Sequence, residues 1–322
     1  MSSAALSEFA LISRYLARPA SGRTDIVVDN GDDCAVIAPT PGHQLAISVD
    51  TSVVDVHFPA DAPPAAIGHR ALAVALSDLA AMGARARWCT LALTLPEIDP
   101  DWLAALGEGF HALAERCGCA LIGGDVTRGT LSLGVTVHGE LPAGSALTRA
   151  GARVGDWIAV TGYPGRAAEG LARWQQGERD LAHPLLDAYL RPQPRLAAGE
   201  ALRGLASAAI DVSDGLLADL GHLLRASNVG AQLDLAALPL ATPLRATLDA
   251  DQVQRRVLAG GDDYELLVTL PPVQLERAQQ QLAALHLPLT PIGRIVAGEG
   301  IGGLPEAFAG LDGWDHFAER RA

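Results

Sequence analysis

Segments with helical periodicity alternate with short apolar, strand-like segments along the whole of this chain. Strands are predicted at 45–50, 88–95, 119–123 and 131–140, from 158 onward, and near 206–211, 263–270 and 289–296. Helices are predicted at 63–82, 100–116, 166–176, 195–204, 215–226 and 273–285. This alternation is typical of α/β or α+β domains, in which helices cover a sheet.

A break in the pattern near residue 150 indicates a domain boundary. The 322 residues are enough for two domains with separate cores. The segment ALTRAGARVGDW concentrates Gly and Arg, and it has little apolar content before the next strand begins. We therefore predict two α/β domains, at 1–148 and 149–322.

Charge and basic-residue composition exclude several classes of function. The formal net charge is −13. A surface that binds nucleic acid or an anionic membrane needs positive charge to release counterions, so we expect neither partner. All 24 basic residues are arginine, and the chain has no lysine. This excludes a P-loop lysine, a strand lysine of the protein-kinase type and a Schiff-base lysine, and leaves small molecules and cations as the expected partners.

The cysteines and the N-terminal segment bear on the cellular compartment. Four irregularly spaced cysteines are too few for a disulfide framework in a chain of this length, which favours a reducing cytoplasm. Cys117 and Cys119 have no second pair or histidine nearby to complete a zinc set, so we interpret them as buried thiols. The N-terminal segment lacks a basic leader and is predicted to form an amphipathic helix, and no apolar run reaches the roughly 18 residues needed to cross a bilayer. We expect a soluble, cytoplasmic protein.

Aspartates recur at the predicted strand ends and beside glycines rather than over helix surfaces. The six places are GDDC with Asp32 and Asp33, SVDTS with Asp50, LSDLA with Asp78, IGGDVTRG with Asp125, IDVSDG with Asp211 and Asp214, and GGDDYEL with Asp262 and Asp263. Strand ends expose side chains to a ligand crevice in open α/β sheets, and glycine lets an ion approach the backbone. Each motif alone is also an ordinary turn signal. Together they favour a site for Mg²⁺, which prefers oxygen ligands.

Asp78 gives the sharpest local argument, because it interrupts a helix, ALAVALSDLAAMGA, whose other residues are almost all small or apolar. An unpaired carboxylate in such surroundings is costly and tends to become neutral. Metal coordination would keep it charged. The alternatives are a solvent-facing side of the helix, or pairing with Arg70 or Arg85.

A magnesium cluster of this kind can hold a polyphosphate and neutralise its charge during phosphoryl transfer, as lysine does in other nucleotide enzymes. Arg128 and Arg149 are predicted to lie in Gly-containing loops and offer bidentate contacts to phosphate. A helix is predicted to begin directly after Asp214, so Ser213 and free backbone N–H groups there could receive a phosphate. N-capping by Ser213 or Asp214 explains the same residues about as well.

In order and spacing, motifs over nearly the whole chain resemble the thiamine-monophosphate kinase family, part of a superfamily that includes aminoimidazole ribonucleotide synthetase and selenophosphate synthetase. The motifs that carry the resemblance are EFALISRY, GDDCAVI, LAISVDTSVVDVHF, ALAVALSDLAAMGA, LALTLP, LIGGDVTRG, ALTRAGARVGDWIAVTG, RPQPR, AIDVSDGLLADLGHLL, GGDDYEL and GWDHF. The resemblance implies an N-terminal α/β domain that binds ATP and Mg²⁺ and forms a homodimer through its sheet. It also implies a C-terminal α/β domain that completes the nucleotide and substrate site, with the active site in the cleft between the domains.

The activity implied by the resemblance is direct in-line transfer of the ATP γ-phosphoryl group to thiamine monophosphate, giving thiamine diphosphate in the last step of its biosynthesis. No covalent nucleophile is implied, and the chemistry falls to several Mg²⁺ ions. The implied ligands of these ions are Asp33, Ser48, Val49, Asp50, Asp78, Asp125, Asp211 and Asp214. The implied contacts are Gly124, Asp125, Arg149 and Ser213 with ATP, and His57, Asp262 and Trp314 with thiamine monophosphate.

Three of these assignments also have a physical reading or depart from the family pattern. Trp314 can stack on a cationic heteroaromatic ring, and Asp262 adds a complementary charge, although a core tryptophan and a turn aspartate are the structural alternatives. Val49 stands where the family often has threonine, so a metal contact there would come from the backbone carbonyl. Asp262 stands where glutamate is common, which shortens its reach by one methylene.

Three other functions fit parts of the pattern. A related synthetase would keep the ATP site and change the acceptor, and an assay of acceptor-dependent ADP formation separates the two. A non-catalytic nucleotide or cation-binding protein would bind MgATP without turnover. A phosphatase with Asp211 as nucleophile would form a phospho-aspartate, but IDVSDG lacks the closely spaced D-x-D that this chemistry favours.

Overall fold

The computed structural model describes residues 8–18 and 22–305, together with Phe308 and Gly313. The chain divides into two compact units, Met1–Leu79 with Ala84–Gly144, and Ala80–Gly83 with Ser145–Ala322. Each unit contains a β-sheet and α-helices, so the chain is a two-domain α/β protein. None of the helices in the described residues is long and apolar enough to cross a membrane.

The N-terminal unit is built around a four-stranded sheet. It begins with α1 (Glu8–Leu11), a π-helical turn (Ile12–Leu16) and a ribbon of β1 (Ile26–Val28) and β2 (Val36–Ile37). The sheet strands are β3 (His43–Val53), β4 (Arg85–Leu95), β5 (Ala120–Arg128) and β6 (Ser132–Pro142), and the long helices are α2 (Pro64–Ala81) and α3 (Pro100–Cys117). The strand order is β3-β6-β4-β5, with β6 antiparallel to β3 and β4, and β5 parallel to β4. β3 is therefore an edge strand.

Alternating burial and helix capping explain why these segments form. In β6, Leu133, Val135 and Val137 are fully buried on one face and alternate with half-buried residues. α3 begins after Asp99, whose side chain accepts hydrogen bonds from two N–H groups of the first turn. It ends at Gly118, whose φ of 64° is the left-handed conformation that glycine adopts readily at a helix end.

The C-terminal unit is built around a six-stranded sheet. Its strands are β7 (Trp157–Thr161), β8 (Ala208–Val212), β9 (Gly230–Leu233), β10 (Glu265–Leu270), β11 (Leu289–Val296) and β12 (Ile301–Gly302). Its helices are α4 (Arg166–Gln175), α5 (Pro184–Leu190), α6 (Leu196–Leu202), α7 (Leu216–Ser227), α8 (Thr242–Arg245), α9 (Ala250–Ala259) and α10 (Leu275–Ala283). The order is β12-β9-β11-β7-β10-β8, and all pairs are antiparallel except β12 with β9.

β8 and β10 are buried along their whole length, which matches their nearly continuous apolar sequences. Glu265, the first residue of β10, is only 1% exposed. Its carboxylate accepts hydrogen bonds from Arg195 Nε at 2.7 Å and Nη2 at 2.6 Å, and from the Thr161 hydroxyl at 2.7 Å. This bidentate pair keeps the buried charge compensated, and it gives the arginine that ends RPQPR a structural role.

The predicted helices and strands are all present, but two strand ends were predicted wrongly. β3 continues to Val53 and β5 continues to Arg128, so Asp50 lies inside a strand and not at its end, and Asp125 lies inside a strand and not after it. The predictions ended where apolar residues gave way to polar ones, whereas the backbone ladders with β6 and β4 continue past that point. Arg128 is accordingly the last residue of a strand and not part of a loop.

Candidate functional site

The first group of candidate residues lies on β3 and α2. Ser48 and Asp50 are two residues apart in β3 and therefore face the same side of the sheet. The Ser48 hydroxyl donates a hydrogen bond to Asp78 Oδ2, and Asp78 is half-buried on α2. Burial, and then the negative charge of Asp78, raise the pKa of Asp50 to about 6. The ionised form of Asp50 is thus disfavoured at this point, and a cation would stabilise it.

Val49 faces the opposite side of β3 from Ser48 and Asp50, and its side chain is 64% exposed. The side chain is therefore directed away from the two candidate ligands. This geometry is compatible with the expectation that any metal contact of Val49 comes from its backbone carbonyl.

Gly124 and Asp125 lie in β5 beside β4. A Cβ added at Gly124 would be 2.0 Å from the carbonyl oxygen of Leu91, so only glycine fits there. The absence of a side chain at Gly124 allows the close approach of a neighbouring strand, and its expected contact with a nucleotide stays a prediction. Asp125 follows it and is exposed.

Asp33 and His57 lie in connections of the N-terminal unit. Asp33 is exposed between β1 and β2, and its N–H donates to Asp32 Oδ1 at 2.9 Å. His57 follows β3, and its Nδ1 accepts a hydrogen bond from the Val53 N–H at 3.0 Å, so a neutral ring carries its proton on Nε2. The buried guanidinium of Arg70 donates to the His57 carbonyl at 3.2 Å. The ring and the backbone carbonyl of His57 are therefore each held by a hydrogen bond.

The IDVSDG segment of the C-terminal unit runs from the end of β8 to the start of α7. Asp211 is 5% exposed, and Ser213 and Asp214 are half-buried. The N–H groups of Ser213, Asp214 and Gly215 donate to Asp219 Oδ2 at 3.0, 3.1 and 3.2 Å. The expectation that these N–H groups are free to receive a phosphate was therefore wrong, because a carboxylate of the same chain already occupies the position.

The capping alternative is not seen either. α7 begins at Leu216, its N-cap is Gly215, and no side chain caps it from the N-cap position. Ser213 and Asp214 lie before that residue, so neither is the N-cap. Asp219, in the first turn, supplies the acceptor that a capping Ser or Asp would otherwise have supplied.

The GGDDYEL segment is joined to IDVSDG by backbone hydrogen bonds. The N–H of Asp262 donates to the Ser213 carbonyl and the N–H of Tyr264 to the Val212 carbonyl, each at 2.8 Å. Asp262 and Tyr264 have φ angles of 69° and 51°, which non-glycine residues rarely adopt. The Tyr264 hydroxyl also donates to Asp262 Oδ1 at 3.1 Å. Strain of this kind is common where a side chain must be held in a fixed direction.

Asp263 contacts a different element from its neighbours. Its carboxylate accepts hydrogen bonds from the N–H of Gly165 at 2.6 Å and of Ala167 at 3.2 Å, at the start of α4. Burial is the largest cause that raises its pKa, to about 8, while the two N–H donors lower it. Asp263 therefore anchors the strained segment to α4.

Arg149 is exposed in the segment before β7. Its carbonyl accepts a hydrogen bond from the Ser227 hydroxyl at 3.0 Å, and Ser227 Oγ also accepts from the N–H of Gly151 at 3.2 Å. Burial, then Arg225 and then Arg149 lower the pKa of His222, while Asp214 raises it. Arg149 and Asp214 therefore both act electrostatically on the same imidazole. Trp314 lies outside the described residues.

A full metal cluster is not assembled within the described part of the chain: no three His, Cys, Asp or Glu side chains there are placed to hold an ion. What the structure does bring together is Asp50 with Asp78 in one unit, and Asp211 with Asp214 and Asp219 in the other. These donors are carboxylate oxygens, with a hydroxyl beside one pair, and Mg²⁺ prefers such ligands. The chemistry of the donor set therefore fits magnesium.

Sequence reasoning missed the supporting roles of three residues: Asp219, Asp263 and Arg195. A signal for Asp219 was present, because an aspartate in the first turn of a helix that begins after a glycine has exposed N–H groups within reach. Asp263 and Arg195 gave no comparable local signal. Their partners, Gly165 and Glu265, are 98 and 70 residues away along the chain.

Comparisons with known proteins show which family this chain is similar to. Two family models match the chain: the N-terminal domain of AIR synthase related protein over residues 31–141, and its C-terminal domain over residues 153–304. The thiamine-monophosphate kinase of Salmonella typhimurium is 48% identical over 323 residues, which cover 98% of this chain and 99% of that protein. The crystal structure of thiamine-monophosphate kinase from Stenotrophomonas maltophilia K279a has a TM-score of 0.84 at 48% identity, covering 87% of this chain and 92% of that one.

A second solved structure, AaThiL complexed with AMPPCP and TMP, has a TM-score of 0.77 at 28% identity, and covers 87% of this chain and 89% of that one. The two family models together span most of both units, and the match to the Salmonella protein covers 98% of this chain. The resemblance inferred from the motifs is thereby confirmed. This chain belongs to the AIR synthase related family and, within it, to the thiamine-monophosphate kinases.

Proposed function

We propose that this protein is an enzyme that transfers the γ-phosphoryl group of ATP to thiamine monophosphate, giving thiamine diphosphate and ADP. The observation that carries the proposal is the 48% identity to a thiamine-monophosphate kinase over 98% of the chain. The likeness in fold to AaThiL complexed with AMPPCP and TMP supports ATP as the phosphoryl donor, because AMPPCP is an ATP analogue.

Magnesium is part of the proposal. The residues that would hold the ions are Asp33, Ser48, Val49, Asp50, Asp78, Asp125, Asp211 and Asp214. Bound Mg²⁺ would neutralise the charge on the phosphate oxygens during transfer. The raised pKa of Asp50 supports a cation at this point, because burial beside Asp78 disfavours its charged form.

The contribution of the chain itself is to bind and orient the two phosphate groups. Gly124, Asp125, Arg149 and Ser213 would contact ATP. The guanidinium of Arg149 suits bidentate binding of phosphate, and it replaces the lysine that this chain lacks. Because both reacting groups are phosphates, in-line transfer needs no covalent nucleophile and little deprotonation of the acceptor.

His57, Asp262 and Trp314 would contact thiamine monophosphate. Asp262 has the support of a strained backbone and of the Tyr264 hydroxyl, which fix its direction. A fixed aspartate compensates in part for the shorter reach compared with glutamate. His57 would donate from Nε2, because its Nδ1 is already an acceptor.

The test is an assay with purified protein, ATP, Mg²⁺ and one acceptor at a time. We expect ADP to form in proportion to thiamine diphosphate, separated by chromatography, only when thiamine monophosphate is present. ADP formation stimulated by another acceptor would favour a related synthetase. Tight binding of MgATP with no acceptor-dependent turnover would favour a binding protein, and either result would overturn the proposal.

We also propose that the protein is a homodimer through the edge strand of the N-terminal sheet. Leu45, Ile47 and Val49 on the outer face of β3 are 43%, 62% and 64% exposed. A long edge strand with exposed apolar side chains is a surface that proteins usually cover with a partner. A cytoplasmic location, expected from the cysteine pattern, stays a prediction.

A further inference from the structure

The N–H groups of Ser213, Asp214 and Gly215 converge on one oxygen of Asp219, at distances between 3.0 and 3.2 Å. Asp219 is 2% exposed, so its carboxylate has little access to water. Three donors to one carboxylate oxygen define the backbone course of the segment, since each N–H must point inward at once. The segment between β8 and α7 is therefore wrapped around this side chain.

Placing a third carboxylate beside Asp211 and Asp214 is electrostatically unfavourable, and a cap that served only to hold the backbone could avoid it. Burial is the largest cause that raises the pKa of Asp219, to about 7, and the charges of Asp211 and Asp214 raise it further, whereas the N–H groups of Asp214 and Gly215 lower it. An uncharged acceptor, such as serine or asparagine, would bind backbone N–H groups without adding a third carboxylate. A carboxylate is nevertheless present, and it gives stronger hydrogen bonds than a neutral acceptor does.

The same segment is held from its other side. The carbonyls of Val212 and Ser213 accept hydrogen bonds from Tyr264 and Asp262, each at 2.8 Å. The N–H groups of the segment are thus bound by Asp219, and its carbonyls by the GGDDYEL segment. Because both sets of backbone groups are fixed, the backbone positions from which the side chains of Asp211, Ser213 and Asp214 extend are also fixed.

We propose that Asp219 is a positioning residue, which holds the backbone of 213–215 so that Asp211 and Asp214 are directed toward bound cations and Ser213 toward the nucleotide. This inference rests on the proposed function. Asp219 does not itself contact the cation or nucleotide in this proposal. It acts through the three backbone groups, and it also prevents a phosphate from using them.

Amide hydrogen exchange tests the geometry independently of activity. We expect peptides that cover 213–215 to exchange about tenfold faster in Asp219→Ala than in the unchanged protein, because charge-assisted hydrogen bonds are lost. Asp219→Asn keeps one oxygen acceptor and should lie between the two. The matched control is Asp249→Ala, which removes the exposed N-cap of α9 and its bond from Gln252. It should accelerate exchange only at the start of α9.

Cation binding tests the role. With AMPPCP present, we expect the Mn²⁺ dissociation constant, measured by electron paramagnetic resonance, to rise about tenfold or more in Asp219→Ala. The rise should be smaller in Asp219→Asn and absent in Asp249→Ala. Unchanged Mn²⁺ affinity in Asp219→Ala, or in Asp219→Asn if the alanine variant does not fold, overturns the inference while leaving the proposed function intact. Failure of the unchanged protein to bind Mn²⁺ overturns the magnesium roles themselves, and the inference with them.

Discussion

Single carboxylates in this chain occupy positions where burial and neighbouring charge disfavour their ionised forms. Asp211 and Asp219 are almost fully buried, and burial beside Asp78 raises the pKa of Asp50. Natural chains retain such groups mainly where a ligand or a specific geometry needs them. Asp219 and Asp263 serve backbone geometry, since both bind N–H groups, whereas Asp50 and Asp78 leave a need for positive charge.

Asp50 and Asp125 are two of the carboxylates that we assign to Mg²⁺. Asp50→Asn and Asp125→Asn should each lower kcat by roughly 100-fold or more, because one anionic ligand is lost from the charge that surrounds the phosphates. The melting temperature should change little. Asp251→Asn, an exposed aspartate on α9, is the control and should keep full turnover. Retained turnover in both Asp50→Asn and Asp125→Asn would refute the metal roles assigned to them.

The second prediction concerns pH. A hydrogen bond from Arg23 is the main cause that lowers the pKa of Asp25 to about 2, and the charges of Arg23 and Arg87 add to it. Because the folded-state pKa is depressed from 3.8, the stabilisation is complete above about pH 4 and is lost as the pH falls toward 2. Asp25→Asn should therefore lower the free energy of unfolding by about 2 kcal/mol at pH 7.

The measurement is denaturant unfolding of the unchanged protein and Asp25→Asn between pH 7 and pH 2, where the two curves should converge. The control is Asp187→Asn, whose ion pair with Arg191 has both side chains about half exposed, at 48% and 47%. An exposed pair contributes little, so this variant should track the unchanged protein at every pH. A constant difference between Asp25→Asn and the unchanged protein down to pH 2 would contradict the assignment.

At the scale of elements, the contact of β4 with β5 depends on one glycine. A Cβ at Gly124 would lie 2.0 Å from the Leu91 carbonyl oxygen, whereas at Gly123 the nearest atom is the Thr90 methyl at 3.8 Å. Gly124→Ala should lower the free energy of unfolding by about 2 kcal/mol or more, because the strands must separate. Gly123→Ala should change it by less than about 1 kcal/mol. Equal stability of the two variants, measured by denaturant unfolding, would contradict this account of the strand pair.

Elements with a strong local pattern could be predicted from the sequence, and those that depend on distant partners could not. α2 and α3 have long apolar periodicity, and their observed bounds differ from the predicted ones by one residue at most. α9 is short, only Val253, Val257 and Leu258 of it are buried, and it was not predicted. β3 and β5 continue past their apolar stretches because β6 and β4 supply the hydrogen bonds. Long-range pairing overrides local composition in these two strands.

The candidate site divides in the same way. The aspartate motifs and the family that they indicate could be recognised from residue order alone, because the spacing of motifs along a chain is visible in the sequence. The occupation of the 213–215 N–H groups by Asp219 was missed, since a free helix start and a filled one look alike in sequence. Similarly, nothing local distinguishes Asp263, which binds α4, from Asp262 beside it.

At the scale of the whole molecule, the proposal that remains to be tested is the homodimer. Light scattering coupled to gel filtration should give a mass near twice 33.4 kDa. Ile47→Glu places a charge in the centre of the exposed face of β3, where a partner sheet would have to bury it, and should shift the protein to a single-chain mass. The matched control is Val273→Glu. Like Ile47, Val273 is an exposed β-branched apolar residue, at 86%, but it lies in the 3₁₀ turn Pro272–Gln274 and not in β3.

This control variant should stay dimeric, so that loss of the dimer in Ile47→Glu reports the edge strand and not a general effect of added negative charge. Activity adds a second readout. If each chain holds a complete site, the monomeric variant should keep its turnover per chain. Loss of turnover with an unchanged melting temperature would mean that pairing of the two sheets orders the face of β3 that carries Ser48 and Asp50. A single-chain mass for the unchanged protein at micromolar concentration would end the dimer proposal. The apolar face of Leu45, Ile47 and Val49 would then be left without the partner that its exposure predicts.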